Sequence, residues 1–210
     1  AHQRQELLGR AQHRAVCQHR VALAALQDLF KRTQRVGHAH LALKHRRHGG
    51  TVCTSSNAET SLRWAFESAE RVLFLPDQHL GRNTAVMGLG MSLADCVVFD
   101  PRKPGGGVTP EQLRDARMVL WRGHCSVHGR FTADSVDEIR EQVPDVNVIV
   151  HPECRYEVAS RADVVGSTEG IIKTLTAAEP GSAWAIGTEL NLVKRLAREH
   201  PDKQISFLDK

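Results

Sequence analysis

From residue 50 onward, short apolar runs alternate with amphipathic stretches. Val72-Leu73-Phe74-Leu75, stopped by Pro76, reads as a buried strand. Met118-Val119-Leu120-Trp121, the β-branched run over 146–150, Val164-Val165, Trp184-Ala185-Ile186 and Ile205-Ser206-Phe207-Leu208 read the same way. Between these runs the period changes. Leu62, Phe66 and Ala69, four and three apart, put one apolar face on a helix over 58–72. Val136, Ile139 and Val143 do so over 134–143, and Leu190, Val193 and Leu196 over 190–200. Shorter helices are expected over 111–117 and 169–178. Pro101-Arg102-Lys103-Pro104-Gly105-Gly106-Gly107 must be loop, and the rest of 83–107 has no clear period. Strands that are apolar throughout, alternating with helices, define an α/β protein with parallel sheets covered on both faces.

Five of the expected strands end in polar clusters. They are Pro76-Asp77-Gln78-His79-Leu80-Gly81-Arg82, Arg122-Gly123-His124-Cys125-Ser126-Val127-His128, His151-Pro152-Glu153-Cys154, Gly166-Ser167-Thr168-Glu169 and Gly187-Thr188-Glu189. Parallel sheets bind ligands outside the carboxyl ends of their strands, so these clusters meet in one site if two sheets face each other. Ser167 or Thr168 suits the cap of the following helix, and the same donors can hold a carboxylate or phosphate. Thr54-Ser55-Ser56-Asn57-Ala58-Glu59 is a second such start. Two of them in one site would suit a small, doubly anionic substrate.

The spacing of Cys125 and His128 suits a metal, and a zinc-dependent hydrolase using His124, Cys125 and His128 is one reading. Cys125 could instead ligate an iron–sulfur cluster, with other thiolates from distant segments. His128 could carry a proton, and Cys125 could be a small buried hydrophobe. His151 and Glu153, presented from a strand end, can orient or protonate a bound acid; otherwise they form a turn with a surface Glu. Cys53, Cys96 and Cys154 read as core.

Composition changes the picture at the N-terminus. Residues 1–48 hold ten Lys/Arg against Glu6 and Asp28, a surplus of eight positive charges, and seven of the twelve histidines. The remainder has 18 basic and 22 acidic residues, so it is acidic. Three readings of 1–48 stand: a basic nucleic-acid arm, a solvated helical segment around the apolar run 21–30, or a stretch outside the protein's native reading frame. The first makes the chain a non-catalytic nucleic-acid binder. Five cysteines are too few and odd in number for a disulfide scaffold. Aromatics at 5% argue against a stacking surface for single strands. No run approaches a membrane span, and residues 1–20 lack the apolar segment of a secretory signal.

Taken in order, the motifs resemble the quinolinate synthase family. They are Val52-Cys53-Thr54-Ser55-Ser56-Asn57-Ala58, Leu75-Pro76-Asp77-Gln78-His79-Leu80-Gly81, Gly123-His124-Cys125-Ser126-Val127-His128, Val150-His151-Pro152-Glu153-Cys154, Ala162-Asp163-Val164-Val165-Gly166-Ser167-Thr168, Ile186-Gly187-Thr188-Glu189 and Pro201-Asp202-Lys203. The resemblance covers about 48–210. It implies repeated small three-layer parallel-sheet α/β domains, incomplete here, with 49–210 a partial set and 1–48 an atypical basic segment. It implies a [4Fe–4S] cluster held by three cysteines, one per domain, with the fourth iron open as a Lewis acid. Cys125 looks like one ligand; the first is expected before residue 50, where no matching motif occurs, and the third a few residues beyond Lys210.

The implied reaction condenses iminoaspartate (iminosuccinate) with dihydroxyacetone phosphate to quinolinate, releasing phosphate and water, in NAD biosynthesis. His128, His151 and Glu153 would be the catalytic residues. Ser55, His151, Pro152, Glu153, Ser167 and Thr168 would contact substrate. A cytoplasmic transferase is implied, linked to L-aspartate oxidase or aspartate dehydrogenase, with no nucleic acid or membrane partner.

Overall fold

The computed structural model describes residues 50–209. The readings of 1–48, including the helix around 21–30, lie outside the described residues. Contacts divide the chain between Thr51 and Val52, and the architecture below belongs to the second unit.

Two parallel sheets carry that unit. The first contains β1 (Val72–Phe74), β2 (Cys96–Phe99) and β3 (Met118–Trp121) in the order β1-β3-β2. Val72 pairs with Met118 and Phe99 with Trp121, both in parallel register. The second contains β4 (Asn147–Val150), β5 (Val164–Val165), β6 (Ala183–Gly187) and β7 (Gln204–Phe207) in the order β5-β4-β6-β7, again all parallel. The helices are α1 (Ala58–Ser68), α2 (Gln78–Asn83), α3 (Pro110–Asp115), α4 (Ala133–Gln142), α5 (Tyr156–Ala159), α6 (Thr168–Ala177) and α7 (Leu190–Glu199).

The second sheet shows why its central strands are mostly apolar. Side chains alternate faces along a strand. Val148 and Val150 join Phe131, Val136, Val158 and Ala185 in one cluster on the α4 and α5 side. Ile149 and Ile186 join Ile171, Leu175, Val193 and Leu196 in another, on the α6 and α7 side. Both faces are buried over 148–150 and 184–186, so those positions are apolar, and each fully buried Val, Leu or Ile contributes about 1.5–3 kcal/mol. This is the three-layer arrangement expected. In the first sheet, Phe74, Met118 and Leu120 pack with Ala58, Leu62 and Leu80.

The sequence reading departs from the structure in several places, among them the unforeseen short helix α5. Strand β2 lies in the stretch without a clear period; its four residues are too few to show one. Helix α2 lies inside a polar cluster and has only six residues. Helix α1 stops at Ser68, so Ala69 is extended and exposed. Leu190 opens α7 and is exposed, because only the turns behind it face the sheet. The 101–107 loop contains Gly105, Gly106 and Gly107 at φ of 60°, 75° and 71°, a backbone that side chains other than glycine rarely adopt.

Candidate functional site

The site forms where the carboxyl ends of the two sheets come together. Beyond β3 the chain makes a tight bend at Gly123. A Cβ there would lie 2.3 Å from the Pro76 carbonyl oxygen, so only glycine allows the approach. The Gly123 carbonyl then accepts from Gln78 N–H at 2.9 Å. Cys125 follows, half-buried, its backbone N–H donating to Asp77 Oδ2 at 2.8 Å. The chain closes into a short 3₁₀ turn, His128–Arg130, which turns His128 inward; His128 is 8% exposed.

His128 is held at both ring nitrogens. Nδ1 lies 3.0 Å from Glu153 Oε2 and Nε2 lies 3.3 Å from Thr188 Oγ1. An ionised carboxylate only accepts, so Nδ1 carries a proton and donates to Glu153, while Nε2 lies within hydrogen-bond distance of the Thr188 hydroxyl. The hydrogen bond from His128 keeps the Glu153 carboxyl below the usual glutamate range. His151 stacks on His128, centroids 4.1 Å apart and planes 12° apart. Its Nδ1 accepts the Glu153 backbone N–H at 3.3 Å. Burial first, then His128 beside it, lower His151 to about 4. The ring is therefore neutral near pH 7, and its 3.9 Å approach to the Glu153 carboxylate is not an ion pair.

Ligand-type atoms of Cys125, His128 and Glu153 all lie within 4.8 Å of one another. His124 is not in this group; it is exposed and faces His79 edge-on at 6.1 Å. The set proposed for a zinc hydrolase is thus corrected: the carboxylate of Glu153, brought from the other sheet, stands where His124 was expected. A cleft of about 450 Å³ opens beside Cys125 and Glu153, with Cys53, Thr54, Ser55 and His124 also in its lining.

The other expected residues fall as follows. Ser55 lines the cleft. Pro152 is buried, and its carbonyl accepts from Asn83. Ser167 is the cap of α6, its Oγ accepting Gly170 N–H at 3.2 Å, and Thr168 is the first helical residue and exposed. Both follow β5, the strand next to β4, and neither lines the cleft with Ser55. The start at 54–58 is built differently from a simple cap. Asn57 Oδ1 turns back to accept from Thr54 N–H at 2.7 Å and makes no cap bond to α1. Cys154 is core as expected, its thiol raised by burial to about 12.

Asp77, Asn83 and Thr188 were given no role from the sequence. Asp77 before a helix carries a capping signal. Thr188 follows a strand end. Asn83 carries no local signal, since its partners lie 69 and 71 residues away.

Fold and site together define an α/β protein with a Cys/His/Glu centre between the carboxyl ends of two parallel sheets. The family model "Quinolinate synthetase A protein" matches residues 32–210, and the chain belongs to that family. The match begins within the basic segment read above as 1–48. The chain is similar to a quinolinate synthase of Streptomyces coelicolor, 69% identical over 166 residues, covering 78% of this chain and 42% of that one. It is 65% identical over 170 residues to a quinolinate synthase of Nocardioides sp., covering 78% and 43%. To that of Bacillus subtilis it is 52% identical over 163 residues, covering 78% and 44%. The chain thus spans about two-fifths of the length of these curated relatives.

Proposed function

We propose that this chain supplies part of the active site of a quinolinate synthase, a transferase of NAD biosynthesis. The reaction would condense iminoaspartate with dihydroxyacetone phosphate and release phosphate and water. The observation that carries this is the convergence of Cys125, His128 and Glu153 from two sheets, in a member of the family, with Cys125 and Glu153 lining one cleft. Iminoaspartate would come from L-aspartate oxidase or aspartate dehydrogenase, and the reaction would take place in the cytoplasm.

Cys125 fits one ligand of a [4Fe–4S] cluster. It lines the cleft, whereas the Cys154 thiol is buried 3.6 Å from the Gly187 carbonyl. Among the described residues Cys125 is the thiol with ligand partners beside it, so the other two ligands would come from outside the described residues. When bound, the cluster supplies an iron with an open position, a Lewis acid toward substrate oxygen. The chain's own residues do the rest. Glu153 and His128 form a hydrogen-bonded acid–base pair able to pass protons during the eliminations. Neutral His151 stacks behind that pair and offers a second base. Ser55 lines the cleft and its hydroxyl would hold a substrate carboxylate, with Pro152, Ser167 and Thr168 proposed as further contacts at the β4 and β5 ends.

The test is iron and sulfide content after anaerobic reconstitution, together with quinolinate formation, in this chain and in a form extended to the length of its relatives. The extended form should take up about four irons and lose them on Cys125→Ala. Glu153→Gln in the same form should keep the iron and lower turnover by about 10²–10⁴. Tight zinc binding with no iron uptake would move the assignment to a zinc centre of Cys125, His128 and Glu153.

A further inference from the structure

Helix α2 touches both sides of the site without entering the chemistry. At its start, Asp77 is 8% exposed and uses both carboxylate oxygens. Oδ1 accepts the N–H groups of His79 and Leu80, each at 2.8 Å, which caps the helix. Oδ2 accepts Cys125 N–H at 2.8 Å. At its end, Asn83 is 2% exposed. Its Nδ2 donates to the Pro152 carbonyl at 2.9 Å and the Cys154 carbonyl at 2.7 Å, the two that flank Glu153. Asn83 Oδ1 is buried with no partner among the described residues. An amide accepts such a cost only where its donors are well used, and flipping it would set oxygen against two carbonyls.

We infer that Asp77 and Asn83 are positioning residues, and that α2 between them is a clasp setting Cys125 against Glu153. The two groups come from different sheets and are joined to one short helix by charge-assisted or doubly donated hydrogen bonds. Gly81 seats that helix directly on the first sheet; a Cβ there would lie 2.6 Å from Phe74 and 2.7 Å from Leu120. The clasp therefore rests on the core and cannot drift. It deepens the reading of the site given above, but its test uses neither substrate nor cluster, so it can fail while quinolinate synthesis stands.

The first arm of the test needs no variant. In the ¹⁵N-labelled 210-residue chain, the Cys125 backbone amide and the Asn83 side-chain amide should exchange with deuterium at least about tenfold more slowly than exposed loop amides. Fast exchange at either group overturns the clasp. The second arm measures alkylation of each cysteine by iodoacetamide at one fixed pH, mapped by mass spectrometry. Asp77→Asn places a donor against the Cys125 N–H, and Asn83→Asp places an acceptor against two carbonyls. Each should raise the Cys125 rate about tenfold while buried Cys154 stays protected. Asn83 has no bond to Cys125, so its effect reaches that thiol through the Glu153 turn or through α2 and Asp77, the two arms of the clasp. A Cys125 rate within about twofold of the parent in both variants, with Cys154 protected, overturns the proposal. If a variant exposes Cys154 it has unfolded, and the exchange rates of the parent chain decide.

Discussion

At the residue scale, the site is built from groups whose protonation is set by their neighbours. His151 is buried among His128 and Glu153, and its pKa falls from 6.5 to about 4. The unfolded chain takes up that proton near pH 6.5, but the native state does so only near 4. The contribution to stability is therefore complete above 6.5 and lost as pH falls toward 4. Between pH 7 and 5 the chain should lose about 1–2 kcal/mol by urea unfolding, and His151→Gln should flatten that slope. A parent curve as flat as the variant's would contradict the assignment. Thr188→Val keeps the shape of the side chain but leaves His128 Nε2 buried without its hydroxyl, at a cost of about 1–3 kcal/mol. Thr188→Ser should restore most of it. Thermal melts of the two variants separate a lost hydrogen bond from lost packing.

At the element scale, short segments do more for the site than the long helices. Helix α2 has six residues, yet it sits tightly on Phe74 and Leu120 at Gly81. Gly81→Ala would gain helix propensity but overpack that contact, so a net loss of about 1–3 kcal/mol is expected from the melting temperature. A stabilised variant would show that the helix can lift off the sheet. Helix α6 is different, because its start is held by one side chain. Ser167→Ala should cost about 1 kcal/mol through the lost cap to Gly170, whereas Thr168→Ala should cost less, as Thr168 makes no cap bond.

At the scale of the whole molecule, the described unit has its own three buried clusters. Residues 1–31 precede the family match. No helix among the described residues is long and apolar enough to cross a membrane.

The sequence by itself determined the α/β class, most strands and helices, and the residue types of the site. That follows from local physics: apolar runs such as 146–150 and the spacing of Val136, Ile139 and Val143 encode burial directly. Gly-Pro punctuation marked the 101–107 loop for the same reason. Strand β2 and helix α2 escaped because four and six residues carry too little period. What only the tertiary structure decided was which groups meet. Cys125 and His128 are neighbours in the chain, but Glu153 and Thr188 reach His128 from 25 and 60 residues away. His124, adjacent to Cys125 in sequence, lines the same cleft but faces His79 and stays outside the group formed by Cys125, His128 and Glu153. Sequence spacing measures distance along the chain; a site between two sheets depends on distance across it, and that is set by how the sheets pack.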